Sequence, residues 1–174
     1  IQTYKTECLL LEGFANLIRE EKVNILVGYN ILGFDIPYMI ERSEGHASCP
    51  EFKKQGLHKT KDGEKKIIKW SSSAYRNQEF EFLDSEGILY VDLLPLVKRD
   101  YKFNNYKLKT ISEYFLGSSK DPLSVKGIFQ CYEIGIKRNN NGEYSKKARK
   151  AMGIVGKYCV QDSALVVQLM GKLK

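Results

Sequence analysis

Apolar residues recur at helical spacing near the start of the chain. Leu10, Phe14, Leu17 and Ile18 share one face, and Arg19, Glu20, Glu21 and Lys22 make a solvated end. That spacing predicts a helix over residues 5–22. Residues 24–28 then form a short apolar run with β-branched members, which predicts a buried strand. A turn marked by Asn30 and Gly33 follows. Helical periodicity resumes through Met39, Ile40 and Arg42 to about Glu44, with Pro37 tolerated in the first turn. Asp35 is therefore expected where a strand hands over to a helix, at a sheet edge, able to point into a cleft.

Residues 45–66 lack sustained apolar periodicity and hold His46, Pro50, Gly56, His58, Gly63 and many lysines, which predicts a long loop or insertion. His46 and His58 read as surface residues, because no acid or cysteine cluster surrounds them at ligand spacing. The lysines of 59–69 read either as a solvated face or as contacts to DNA phosphates. Ile67, Ile68 and Trp70, then Phe80, Phe82 and Leu83, predict two strands. The turn Asp84-Ser85-Glu86-Gly87 leads to a third strand over 88–91. Asp92 ends that strand where a helix through Leu93, Leu94, Leu96 and Val97 begins, the position of a helix N-cap.

Further on, Leu108, Ile111 and Phe115 predict a helix. Asp121-Pro122-Leu123-Ser124 predicts a turn and cap before another with Val125, Ile128, Phe129 and Tyr132. Residues 138–142 read as a loop. A basic helix carrying Lys146, Lys147, Arg149 and Lys150 follows, with Gly153 and Gly156 placed to interrupt or bend it, and a last helix spans 158–173. On that helix Tyr158 and Asp162 are one turn apart, so phenol and carboxylate reach one small volume. A carboxylate there suits a hard divalent cation, and a phenol suits the aiming of a water.

Composition adds limits. The chain has 174 residues, 43% hydrophobic and 28% charged, enough for a core and consistent with one domain or a piece of a larger one. No apolar run approaches the roughly 20 residues of a membrane helix. A net charge of +7 favours a polyanionic partner. Cys8, Cys49, Cys131 and Cys159 are widely spaced, without a Cys-x-x-Cys pair, which argues against zinc or a dense disulfide framework and for reduced thiols in a reducing compartment. The start at Ile1 reads as that of an excised fragment.

Gly28-Tyr29-Asn30, then Phe34-Asp35, then Pro37-Tyr38, all after an apolar strand, resembles the second exonuclease motif of family B DNA polymerases. Tyr158-Cys159-Val160-Gln161-Asp162 is similar to the third. The resemblance covers about Tyr4 to Leu173 and is nearest the eukaryotic replicative and large DNA virus branch. It implies an α/β, ribonuclease-H-like domain spanning 1–174, a mixed sheet flanked by helices. It also implies 3′→5′ proofreading of DNA, with Asp35, Tyr158 and Asp162 catalytic and Asp35 and Asp162 holding Mg²⁺ or Mn²⁺ in a two-metal site. Asn30 and Phe34 would lie near the 3′-terminal nucleotide. Asp92 matches an aspartate at the same strand end.

The implied partners are the single-stranded 3′ end of primer DNA, the remainder of a polymerase chain and a sliding clamp, with no membrane, at an intracellular site such as the nucleus or a viral replication site. The stretch from Asp92 to Gly117 resembles the family's segment between those motifs, and its interleaved lysines and tyrosines would suit a single-stranded path.

One departure matters. The family's first motif, Asp-x-Glu on a strand, has no counterpart in context: Asp62-Gly63-Glu64 lies in the lysine-rich loop and Asp84-Ser85-Glu86 in a turn. The expectation is half a metal site and little activity from this stretch alone. Two competing readings are a non-catalytic single-stranded DNA-binding or scaffold module of the polymerase, and a related nuclease acting on RNA.

Overall fold

The computed structural model describes residues 2–45, 49–57, 61–72, 76–117, 123–139 and 141–173. It divides into two units, 1–102 and 103–174. His46, His58, Lys59, Asp121 and Pro122 lie outside the described residues.

In the first unit, helix α1 spans Glu7–Glu20. The Thr6 hydroxyl accepts the Leu9 amide and caps the helix, while Leu11, Ala15 and Ile18 face inward. Strand β1 (Ile25–Gly28) is followed by a π-helical turn over Ile31–Asp35 and helix α2 over Ile36–Gly45. A 3-10 turn covers Pro50–Lys53. Strands β2 (Glu64–Ser72) and β3 (Arg76–Asp84) form an antiparallel hairpin, and β4 (Leu89–Asp92) leads into helix α3 (Leu93–Asp100).

Strand β4 pairs in parallel with β1, bringing Gly28 level with Asp92. Parallel and antiparallel pairing thus coexist in an α/β fold, as two two-stranded sheets rather than one sheet among the described residues. The core of this unit gathers Leu11, Ile36, Ile40, Cys49, Phe52 and Leu83, so α1, α2, the 3-10 turn and β3 close on one apolar centre. Arg42 on α2 grips Glu7 on α1 through both guanidinium branches. Ile36, the first residue of α2, is buried in this packing, which anchors the chain directly after Asp35.

The cysteine expectation needs correcting. Cys8 and Cys49 are joined in a disulfide with Cα atoms 5.4 Å apart, an ordinary spacing for such a bond. Sequence spacing hid the pair, because the packing of α1 against the 3-10 turn closes a 41-residue separation. Cys131 and Cys159 are free thiols.

In the second unit, helices α4 (Leu108–Leu116), α5 (Val125–Gly135) and α6 (Lys146–Lys172) pack with α6 against both others. Ser124 and Ser145 cap α5 and α6 by accepting the Gly127 and Ala148 amides, each at 3.1 Å. Gly135 lies against the Met152 side chain, leaving no room for a Cβ between α5 and α6.

Helix α6 is a second correction: it runs 27 residues without a break at Gly153 or Gly156. Each glycine costs a helix about 1 kcal/mol relative to alanine. The burial of Ala148, Ala151, Leu165, Val166 and Leu169 outweighs that cost. No helix among the described residues is long and apolar enough to cross a membrane.

Candidate active site

The carboxyl ends of β1 and β4 lie side by side, the place where parallel strands of α/β folds present their ligand-binding loops. Leaving β1, the chain turns through Asn30 in the left-handed region (φ 67°). Asn30 tolerates that conformation better than a branched residue would. The π-helical turn that follows delivers Asp35 directly to the first turn of α2. Such turns frequently mark functional positions.

What holds this loop is Asp92. Its Oδ1 accepts the Asn30 amide at 2.7 Å and the Leu94 amide at 3.0 Å, and its Oδ2 accepts the Leu32 amide at 3.1 Å. The residue is buried, at 8% exposure. It is the N-cap expected from the sequence and also a clamp on the turn that carries Asn30 and Asp35. With its lone pairs committed to three amides, Asp92 is a positioning group.

Asp35 itself is exposed at the rim of this arrangement. Partial desolvation raises its carboxyl pKa above the usual 3.8, its own backbone amide offsets part of that rise, and the nearby charge of Asp92 adds to it. A carboxylate held this way gains from a neighbouring cation, which would relieve both the desolvation and the repulsion. A Cβ on Gly33 would come within 2.7 Å of Asn30 Oδ1, so a side chain there would displace the Asn30 amide group. Phe34 is 62% exposed and lies parallel to the exposed Tyr38 ring, with centroids 6.2 Å apart and planes 8° from coplanar. Two apolar rings held in water beside an acid form a surface for a flat or ring-shaped ligand.

In the second unit, Tyr158 and Asp162 lie one turn apart on α6, both half-buried, with Asp162 Oδ1 shielded from solvent. Asp35, Asn30 and Phe34 thus belong to one unit, and Tyr158 and Asp162 to the other.

Carboxylate oxygens are the right donors for Mg²⁺ or Mn²⁺. Among the described residues, however, no group of three or more His, Cys, Asp or Glu side chains converges for a metal. The two Asp-x-Glu triplets rejected on sequence context do meet, since Glu64 is opposite Asp84 across the hairpin. There Glu64 is paired with Lys66 and Glu86 with Lys61.

The lysine-rich hairpin behaves likewise. Lys65 meets Glu44 and Glu81, and Lys69 meets Glu79. Among the aromatics after α3, Phe103 makes edge-on contacts with Tyr106, Tyr114 and Phe115. The role of Asp92 as a loop clamp is what sequence reasoning missed, and its helix-capping position was the signal available.

The first unit is thus an α/β domain with an exposed acid at the carboxyl end of a parallel strand pair, beside exposed rings and a turn braced by a buried aspartate. Residues 1–111 match the model of the DNA polymerase family B exonuclease domain. The chain belongs to that family.

It is 49% identical over 173 residues to DNA polymerase 120R of Invertebrate iridescent virus 3, covering 99% of this chain and 15% of that protein. It is 38% identical over 174 residues to the putative DNA polymerase 060R of Frog virus 3, covering 100% of this chain and 16% of that one. With the DNA polymerase delta catalytic subunit of Oryza sativa it shares 31% identity over 173 residues, 99% of this chain and 14% of the relative. The chain therefore spans about 15% of the length of these curated relatives.

Proposed function

We propose that residues 1–174 form the proofreading 3′→5′ exonuclease portion of a DNA-directed DNA polymerase, removing the 3′-terminal nucleotide of a single-stranded primer end. The observation that carries this reading is Asp35: an exposed carboxylate of raised pKa at a strand end, beside the exposed Phe34 ring, inside the segment that matches the family. Asp35 and Asp162 are the carboxylates of this chain that would hold Mg²⁺ or Mn²⁺.

Bound divalent cations would supply Lewis-acid activation of water and stabilisation of the departing 3′-oxygen. The chain's own residues do the rest. Phe34 and Tyr38 receive the terminal nucleoside against their faces. The Asn30 side chain gives it a polar contact. The Tyr158 hydroxyl orients the attacking water for in-line displacement. Asp92 keeps Asn30 and Asp35 in register through the backbone. The rest of the polymerase chain, and a sliding clamp, are the expected partners in DNA replication.

The test is metal-dependent release of the labelled 3′ nucleotide from single-stranded DNA by the intact polymerase chain containing this domain. Asp35→Ala and Asp162→Ala should each abolish release, and undiminished release in either would overturn the assignment. The lack of a three-donor cluster among the described residues favours a second reading, a DNA-holding module without catalysis. An intact chain that binds the strand in chelator but never cuts it with Mn²⁺ would establish that reading. Equal cleavage of matched RNA would point to the related RNA nuclease instead, because the 2′-hydroxyl is the group that distinguishes them.

A further inference from the structure

The net positive charge of this protein comes from one unit. Residues 1–102 carry 15 lysines and arginines against 16 aspartates and glutamates, whereas residues 103–174 carry 13 against 5. In the first unit Lys53, Lys54, Lys61, Lys65, Lys66 and Lys69 all have glutamate partners. The start of α6 is different. Lys146, Lys147, Arg149, Lys150 and Lys157 are exposed, and none has an ion-pair partner among the described residues.

Their spacing is also ordered. At about 100° per residue, Lys146, Arg149, Lys150 and Lys157 fall on one side of the helix, with Gly153 in the middle of the row. Ala148, Ala151, Leu165, Val166 and Leu169 occupy the opposite side, which is buried. Tyr158 and Asp162 are turned toward that buried side, away from the cations. The row rises about 16 Å from end to end, the length of four or five phosphates at ~3.4 Å per nucleotide. Arg138 extends it at the base: its antiparallel bridge to Tyr144 brings it beside the start of α6, where its guanidinium covers the Tyr144 ring at 4.8 Å.

These cations sit where a helix tolerates them least. The first turn and a half of α6 holds four basic residues and no acid, against the positive end of the helix dipole. A choice that opposes local stability is explained if the charge serves a ligand. The row is one residue wide, which fits a linear polyanion better than a sheet of lipid headgroups or a broad acidic protein surface.

We infer that the outward face of α6, from Lys146 to Lys157, is a sequence-independent contact for the phosphate backbone of DNA, separate from the Tyr158–Asp162 face. The inference rests on the DNA-directed reading only for the choice of polyanion.

The test is binding of a labelled DNA duplex and of its single strand by the protein in EDTA, over about 50 to 200 mM salt. The fourfold variant Lys146→Gln, Arg149→Gln, Lys150→Gln and Lys157→Gln should weaken binding at least about tenfold and flatten the log–log salt slope by about 3. Its melting temperature should be unchanged or higher, because the substituted side chains are exposed and oppose the dipole. In the other direction, Gly153→Lys fills the gap in the row, where nothing lies within 4 Å of a Cβ, and should tighten binding and steepen the slope by about 1.

An unchanged affinity and slope in the fourfold variant would overturn the inference. So would phosphatidylserine vesicles binding the protein through these residues while DNA binding ignores them. A protein that binds DNA through α6 but never cleaves it would sink the nuclease assignment and leave this contact standing.

Discussion

Asn30 and Asp92 stand 62 residues apart in the chain, yet the amide of one lies 2.7 Å from the carboxylate of the other. The bond ties the strand end of β4 to the turn that follows β1, and a second from the Leu32 amide braces the same turn. Removing the carboxylate leaves three amides without their acceptor at a buried position. Asp92→Ala should therefore cost about 2–4 kcal/mol in urea denaturation. Asp92→Asn, which keeps one acceptor oxygen, should cost roughly half as much. Exonuclease activity should fall in both, with the Asp35 carboxylate still present.

Asp35 gives a pH signature. Its carboxyl pKa is raised in the folded protein, chiefly by desolvation and further by Asp92, so folding favours the protonated form. That contribution to stability is full below the usual 3.8 and is lost as pH rises through the folded value. In chelator, Asp35→Asn should melt higher than the wild type at neutral pH, and the difference should vanish in acid below 3.8. Equal melting temperatures at neutral pH would remove the argument that this carboxylate is held at a cost for function.

Phe34 separates binding from stability. With 62% of its surface in water it contributes little to the fold. Phe34→Ala should change the unfolding free energy by less than about 0.5 kcal/mol. It should also weaken binding of a single-stranded 3′ end by about 1–3 kcal/mol, the usual worth of one base–aromatic stack. A Phe34→Ala protein that unfolds easily but binds normally would reverse that assignment.

Gly33 tests the turn. Its Cβ would displace the Asn30 side chain, which is free to swing away into solvent. Gly33→Ala should leave stability within about 1 kcal/mol, with added helix propensity offsetting the contact. Turnover on a single-stranded end should fall as far as in Asn30→Ala. At Gly28 the obstacle is the branched Ile31 side chain at 1.8 Å from a Cβ, so Gly28→Ala should cost about 1–3 kcal/mol instead.

The Cys8–Cys49 disulfide closes a loop with a 41-residue separation. Loop-closure entropy for that length corresponds to about 3–4 kcal/mol. Urea denaturation with and without dithiothreitol measures it. A midpoint indifferent to reductant would show that the bond does not constrain the unfolded chain.

Legibility in the sequence followed locality. The strand–turn–helix around Asp35 was readable because β-branched run, turn residues and helical periodicity are contiguous. The hairpin and the cap role of Asp92 were readable for the same reason. The clamp on Asn30 and Leu32 was not, since it depends on β1 and β4 pairing in parallel across the intervening hairpin. The Cys8–Cys49 pair escaped because tertiary packing alone makes those residues neighbours. At Gly153 and Gly156 local propensity pointed to an interruption that packing against α4 and α5 overrode. The glutamate partners of the hairpin lysines were not readable either, since the strand register sets Lys65 near Glu81 and Lys69 opposite Glu79.

The unbroken course of α6 makes it a protractor. Its 27 residues form a rod about 40 Å long, on which the angle between the cations and the Tyr158–Asp162 pair is set by residue count alone. One residue inserted between Lys157 and Tyr158 would turn one set about 100° against the other, while seven would bring them nearly back into phase. The spacing between those positions is thus a dimension of the molecule, and a hinge there would have left that angle free to drift.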